Sequence, residues 1–288
     1  MNDSLNKSLE LTKQQRKGIV LFLVPLGLFL IILSQALFSF LYHTQLTNPG
    51  WLEIVDNLSG IGVIVVTLLY CRLFEKRRPS SLGFTTTNSL KGYLTGLILG
   101  LVLVSSAYLI NIFTHSITMT FQFSQIKWWF IFFSFFGYIC QGLMEETVCR
   151  GFIMNSIASR YGIWPGIIVN SLIFSSLHHA NAGFTLLAAI NVFLIGIFFS
   201  LLFYYTDNIF FVGAVHTAWN FTSGPLLGIK VSGLPIYSSI LQTTESDTYQ
   251  LVNGGTFGLE GGLAVTFPIL IAIAFVLYQL QHPNKKRS

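Results

Sequence analysis

Glu145, Glu146 and Arg150 stand together in the run Met144-Glu145-Glu146-Thr147-Val148-Cys149-Arg150-Gly151, inside an apolar stretch predicted to span a membrane over 128–158. An ionisable side chain at the centre of a membrane helix costs roughly 2.5–3.5 kcal/mol on insertion scales, so three together need compensation or a task. On a helix, Glu146 and Arg150 are one turn apart and can pair. Glu145 lies about 100° round the axis and lacks that partner, which leaves a carboxylate able to take up a proton. Two other readings compete with chemistry at this point: a structural ion-pair cluster, and the water-lined polar seam of a transporter.

Two downstream clusters shift the balance. One reads Phe174-Ser175-Ser176-Leu177-His178-His179, the other His216-Thr217-Ala218-Trp219-Asn220. A lone intramembrane histidine commonly serves helix packing, but here the depths agree. Glu145 precedes Arg160 by fifteen residues, His178 follows Gly162 by sixteen, and His216 and Asn220 follow Asp207 by nine and thirteen. At about 1.5 Å rise per residue, all four lie roughly 13–25 Å from the same end of their helices. His216 and Asn220, one turn apart, share a face. A carboxylate, two imidazoles and an amide at matching depth on three helices suit water activation with oxyanion stabilisation. His179 is a second candidate imidazole, whereas His43, His115 and His282 sit at span ends. Trp219 and Cys149 read as packing residues, Cys149 on the Glu145 face and so at the wall of any cavity there.

Positioning such a set takes several helices held in a bilayer, and the composition points the same way. The 288 residues are 52% hydrophobic and 15% aromatic, with only 9% charged, against about 25% charged in a soluble domain. Apolar runs long enough to cross a core of about 30 Å recur. Eight spans are predicted, at 18–42, 52–74, 90–113, 128–158, 164–181, 183–206, 208–223 and 262–281. The expected fold is an all-α polytopic bundle forming one membrane-embedded domain. Its parts are a cytoplasmic tail (1–17), N-terminal transmembrane helices (18–124), a core (125–225), an extracytoplasmic loop (226–261), and a last helix with a basic tail (262–288). No inverted repeat or Gly/Pro-broken helix pair is evident, which disfavours an alternating-access transporter.

A net charge of +5 invites an anionic partner such as nucleic acid, but its distribution argues for membrane topology instead. Of 16 Lys and Arg, only Lys127 and Lys230 fall on the outer side and Arg150 within a span, so both termini are expected in the cytoplasm. Cys71, Cys140 and Cys149 lie in apolar segments and read as reduced core residues. The first apolar run lacks a small-residue cleavage site and reads as a retained span.

In order, Glu145-Glu146-x-x-x-Arg150, Phe174-x-x-x-His178 and His216-x-x-x-Asn220 resemble the three motifs of the CPBP family. That is the group of type II CAAX proteases and bacteriocin-processing or self-immunity membrane proteins also called Abi. The resemblance covers roughly residues 125–225, with Arg150-Gly151-Phe152 adding to it. It implies an intramembrane endopeptidase on an all-helical fold, with 125–225 as its catalytic core. Glu145 would be the base that deprotonates water, assisted by His178. His216 and Asn220 would stabilise the oxyanion, and Glu146 and Arg150 would hold the carboxylate helix in place. Cys149 departs from the apolar or aromatic residue common at its position.

The family has also been called a metalloprotease group, and Glu145, His178 and His216 are the residues that would ligate zinc. The helical His-Glu-x-x-His arrangement is absent, and Asn220 suits an amide donor better than a metal ligand. The expectation is therefore a mechanism without a cofactor, zinc being the alternative. Expected partners are the lipid bilayer and a peptide or protein substrate at the membrane. The substrate is expected to be a CAAX-type protein or, in a bacterial cell membrane, a bacteriocin or pheromone precursor. The competing function is a non-proteolytic immunity or scaffold protein that keeps the same polar cluster.

Overall fold

The computed structural model describes residues 6–85 and 89–282, so the basic tail expected after the last helix lies outside the described residues. Helix α1 (Lys7–Gln15) is followed by α2 (Val20–His43), and α3 (Pro49–Leu58) runs into α4 (Gly60–Leu73). After α5 (Ser89–Phe113) comes α6 (Trp128–Glu146), which continues through a π-helical stretch, Thr147–Met154, into α7 (Asn155–Tyr161). Then follow α8 (Ile163–Leu177), α9 (Leu186–Thr206), α10 (Ile209–Phe221) with a π-turn over Thr222–Leu226, α11 (Gln250–Asn253) and α12 (Leu263–Gln281).

The architecture is the expected helical bundle, and each expected span corresponds to a helical stretch. Among the described residues, five are long and apolar enough to cross a membrane: Val20–His43, Pro49–Leu73, Ser89–Phe113, Leu186–Thr206 and Leu263–Gln281. The other three, α6, α8 and α10, are those that carry or end at the motif residues. Polar side chains and short length keep them below that standard, so length and composition alone do not fix the count at eight. The second span begins at Pro49, where the Asn48 side chain accepts from the N–H groups of Gly50 and Trp51. α8 stops at Leu177, four residues before the expected end, which leaves His178 as its C-terminal cap.

Three features depart from the sequence reading. The N-terminal stretch expected as a tail contains a packed helix: Asn6 caps α1 by accepting from Leu9, and both Asp207 oxygens accept from the Ser8 N–H at 3.1 Å. Burial pushes the Asp207 carboxyl above its ordinary value, against the lowering pull of Ser8. Arg77, read as a topology-setting cation, is fully buried. It donates to Glu75 (3.1 Å), Ser156 (2.8 Å) and the Gly151 carbonyl (2.7 Å), tying the chain after α4 to the π-helical stretch. Third, strand β1 (Ile117–Phe121) pairs antiparallel with β2 (Leu241–Glu245), Ile117 opposite Glu245 and Phe121 opposite Leu241. This two-stranded pair ties the 226–261 loop to the segment between α5 and α6.

At the centre lies α9, whose apolar window is 61% buried, against 28% for α12 at the periphery. Outer faces carry Phe22, Phe29, Ile98, Ile271 and Phe275, all exposed, as lipid-facing helices do. Small residues let α10 approach its neighbours. A Cβ on Gly100 of α5 would lie 2.4 Å from the Val215 carbonyl oxygen, and one on Gly142 of α6 would lie 2.9 Å from the Thr217 nitrogen. Thr217 also donates across this seam to the Tyr138 carbonyl at 3.2 Å. The motif helices α6 and α10 are thereby clamped backbone to backbone.

Candidate active site

Glu145 and Glu146, about 100° apart on α6, meet different surroundings. Glu146 points into protein and is wholly buried, as is Arg150 one turn on. Arg150 donates from Nη1 to Glu146 Oε1 (3.0 Å) and from Nη2 to the Gly196 carbonyl (3.1 Å). Its guanidinium also sits over the rings of Phe174 (4.6 Å) and Phe199 (5.3 Å). A buried cation paired with a carboxylate, bonded to a carbonyl and stacked on two aromatic faces has its charge well compensated. Arg150 thus joins α6 to α8 and α9. It begins its ion pair at the start of the π-helical stretch, a deviation often found at functional sites.

His216 on α10 completes this buried side. Its Nδ1 lies 2.8 Å from Glu146 Oε1, and a carboxylate oxygen accepts, so Nδ1 carries the proton. Nε2 then faces the other carboxylate, 3.8 Å from Glu145 Oε2. His178, at the end of α8, is fixed in the same way: its Nδ1 lies 2.8 Å from the Phe174 carbonyl oxygen, which can only accept. The spacing of Phe174 and His178 is therefore a hydrogen-bonded turn that leaves Nε2 as an acceptor in the neutral ring.

Glu145, by contrast, opens into a cavity of about 350 Å³. His178, His216, Asn220 and Cys149 line the same cavity, so the candidate residues separated by up to 75 positions converge on one space. Its polar floor is completed by residues that the sequence reading left out. Gln141 donates to Glu145 and accepts from Asn220 Nδ2 at 2.9 Å. Gln141 stands one turn before Glu145, a spacing that signals a shared face. Glu260, from the loop before α12, accepts from Trp219 Nε1 (2.9 Å) and Ser232 Oγ (2.6 Å). Trp219 is thus a hydrogen-bond anchor for the loop as well as a packing residue. Nothing in the local sequence around Glu260 marks it, because only the folded loop brings it to the cavity. The opposite flank is apolar, with Leu28, Ile31 and Ile32 from α2 and Val63 from α4. His179 packs on Phe184, His43 bonds Asp56 and His282 stacks on Tyr278, and none of these lines the cavity.

Among the described residues, no three His, Cys, Asp or Glu side chains are grouped so as to hold a metal ion. Glu145, His178 and His216 line one cavity without closing as ligands around one point. The set does contain a hydrogen-bonded carboxylate, two oriented imidazoles and a primary amide.

Residues 127–222 match the family model described as type II CAAX prenyl endopeptidase Rce1-like. The Rce1-like match opens just before α6 and closes two residues after Asn220, so it contains all three motifs. The resemblance read from those motifs is borne out. The Rce1-like family supports an endopeptidase of the CAAX type, and together with the apolar helices it makes the chain an integral membrane protein. Helices α1 to α5, α11 and α12 lie outside the Rce1-like segment. No curated protein matches the chain.

Proposed function

We propose that the protein is an intramembrane endopeptidase that hydrolyses a peptide bond of a membrane-associated substrate with water activated by Glu145. The observation that carries this reading is the contrast between two adjacent carboxylates. The Glu145 side chain is 21% exposed, into the cavity, while that of Glu146 is 0% exposed and bonded to Arg150 and His216. A general base must reach the water it deprotonates, and only Glu145 does.

In this mechanism a water between Glu145 and His178 Nε2 attacks the scissile carbonyl carbon as its proton passes to Glu145. The carbonyl π-bond opens to an oxyanion. Asn220 offers a donor to it, because its amide has two N–H groups and Gln141 takes one. His216 donates through Nε2 only when the ring holds a second proton, and the two carboxylates beside it compensate that charge. Collapse of the intermediate breaks the C–N bond, and the proton held on Glu145 goes to the leaving amine. Glu146, Arg150 and the Phe174 carbonyl keep the imidazoles and the helix in register.

The apolar flank formed by α2 and α4 supports a substrate whose cleaved segment adjoins an apolar or lipid-anchored part, in keeping with a CAAX-type substrate. The test uses purified protein in detergent with an internally quenched CAAX peptide carrying a prenyl group on its cysteine. Cleavage is expected, and Glu145→Gln should abolish it. Absence of cleavage by the unsubstituted protein, or full cleavage by Glu145→Gln, overturns the reading.

A further inference from the structure

The Glu145 carboxylate and the Asn220 amide, assigned to opposite ends of the reaction, are joined through one side chain. Gln141 donates from Nε2 to Glu145 Oε1, and its Oε1 accepts from Asn220 Nδ2 at 2.9 Å. A primary amide is the side chain suited to this place, since it offers a donor and an acceptor on opposite corners of one planar group. The direction of the chain is determined at both ends. Glu145 as a carboxylate can only accept, so Gln141 must present its NH₂ there and its carbonyl to α10. Asn220 must then turn its own NH₂ towards α6 and the cavity rather than its carbonyl. An amide otherwise free to flip is thus fixed with its donors where an oxyanion forms.

Gln141 is not a packing residue at this position. It is partly exposed, and it forms a wall common to the catalytic cavity and to a second cavity of about 420 Å³ lined by Glu53, Tyr138 and Tyr237. Val231 and Leu234 are the other residues shared by the two spaces. A side chain open on two faces gains little from burial, and two hydrogen bonds hold its orientation.

We propose that Gln141 is a positioning residue of the peptidase reaction: its amide holds the base Glu145 and the oxyanion donor Asn220 in one hydrogen-bonded line. This rests on the reading of Glu145 as base and Asn220 as donor. It assigns Gln141 a role in the transition state rather than in substrate binding.

The test measures kcat and KM for the same quenched prenyl-CAAX peptide with purified Gln141→Met, Gln141→Glu, Asn220→Ala and the double variant Gln141→Met/Asn220→Ala. Thermal unfolding in detergent serves as a fold control. Gln141→Met keeps the volume and loses both bonds; it should lower kcat by about tenfold or more with KM changed by less than about threefold. Gln141→Glu keeps an acceptor for Asn220 but sets a second carboxylate against Glu145, and should lower kcat at least as far. In the Asn220→Ala background the same Gln141→Met change should lower kcat by at least about threefold less than it does in the unsubstituted protein, since one of the two groups it orients is gone while the bond to Glu145 remains to be lost. Equal losses in both backgrounds, or a Gln141→Glu protein as active as the unsubstituted one, would make Gln141 a structural residue and overturn the proposal. A Glu145→Gln protein that cleaves normally would instead remove the reading beneath it.

Discussion

His216 Nδ1 lies 2.8 Å from Glu146 Oε1, while the other nitrogen of the same ring faces Glu145 Oε2 at 3.8 Å. One imidazole on α10 thus spans two carboxylates that are neighbours in sequence on α6. The proposed division of labour between the glutamates rests on this contrast: the one bonded to both Arg150 and His216 would support, and the one left facing the cavity would react.

That division predicts opposite phenotypes for two isosteric changes. Glu145→Gln should reduce kcat by about 10²–10⁴-fold, the usual worth of a general base, with thermal unfolding close to that of the unsubstituted protein. Glu146→Gln should lower stability by roughly 3–5 kcal/mol, because it leaves the Arg150 guanidinium buried with its carboxylate partner gone. Arg150→Lys should not rescue what Arg150→Ala loses, since an ammonium cannot both bond Glu146 and the Gly196 carbonyl and stack on Phe174 and Phe199. Peptide cleavage and thermal unfolding in detergent, measured on the same preparations, check all three.

A second prediction concerns the α6–α10 seam. Gly142→Ala places a methyl group 2.9 Å from the Thr217 nitrogen and 3.0 Å from the Gly213 carbonyl oxygen, both backbone atoms that a rotamer change cannot relieve. The helices must separate, at a cost of about 1–3 kcal/mol, as overpacking usually exacts. That separation lengthens the Glu146–His216 bond, so activity should fall further than stability alone explains. Cleavage at a temperature where the variant is fully folded checks this, and unchanged kcat there would show that the seam does not set the site.

How much of this was legible beforehand depends on the range of the interaction. Glu146–Arg150 and His216–Asn220 were readable because a helix places residues four apart on one face, a rule that needs no tertiary knowledge. Gln141–Glu145 obeys the same rule but carries no charge on its first member, so it did not stand out among polar residues. The convergence of α6, α8 and α10 could be inferred from depth only, since hydropathy does not say which helices touch. Glu260 and Ser232 were beyond reach. They enter the cavity from a loop held by the β1–β2 pairing and by bonds such as Asn191 to the Glu260 carbonyl, which link positions 69 residues apart. The burial of Arg77 was hidden for a related reason: a cation beside a span looks the same in sequence whether it meets water or a buried glutamate.

Topology provides a third prediction. The skewed distribution of Lys and Arg predicts both ends of the chain on the cytoplasmic side. Reporter fusions at the N- and C-termini should both report the cytoplasm, and one inserted near Glu245, beside β2, should report the opposite side. An external C-terminus would mean an odd number of crossings. The error would then lie with one of the three helices α6, α8 and α10 that fall short as independent spans.

The last prediction concerns metal dependence. Glu145, His178 and His216 are chemically able to ligate zinc, so the residue types do not decide the question. The way their atoms are already engaged bears on it more closely. Glu145 Oε1 accepts from Gln141, His216 Nδ1 is bonded to Glu146 and His178 Nδ1 to the Phe174 carbonyl. These bonds leave one oxygen and two ring nitrogens facing the cavity, a set that can equally hold a water between a carboxylate and an imidazole acceptor. Asn220, bonded to Gln141, adds an amide donor, which suits an oxyanion and is not itself a metal ligand. The glutamate mechanism therefore predicts that purified protein, treated for long periods with a strong zinc chelator and shown by elemental analysis to hold no stoichiometric metal, still cleaves the prenyl-CAAX peptide within about twofold of the untreated rate. Loss of cleavage on chelation with recovery on adding one equivalent of zinc would make Glu145, His178 and His216 ligands, and Glu145 could no longer be the free base.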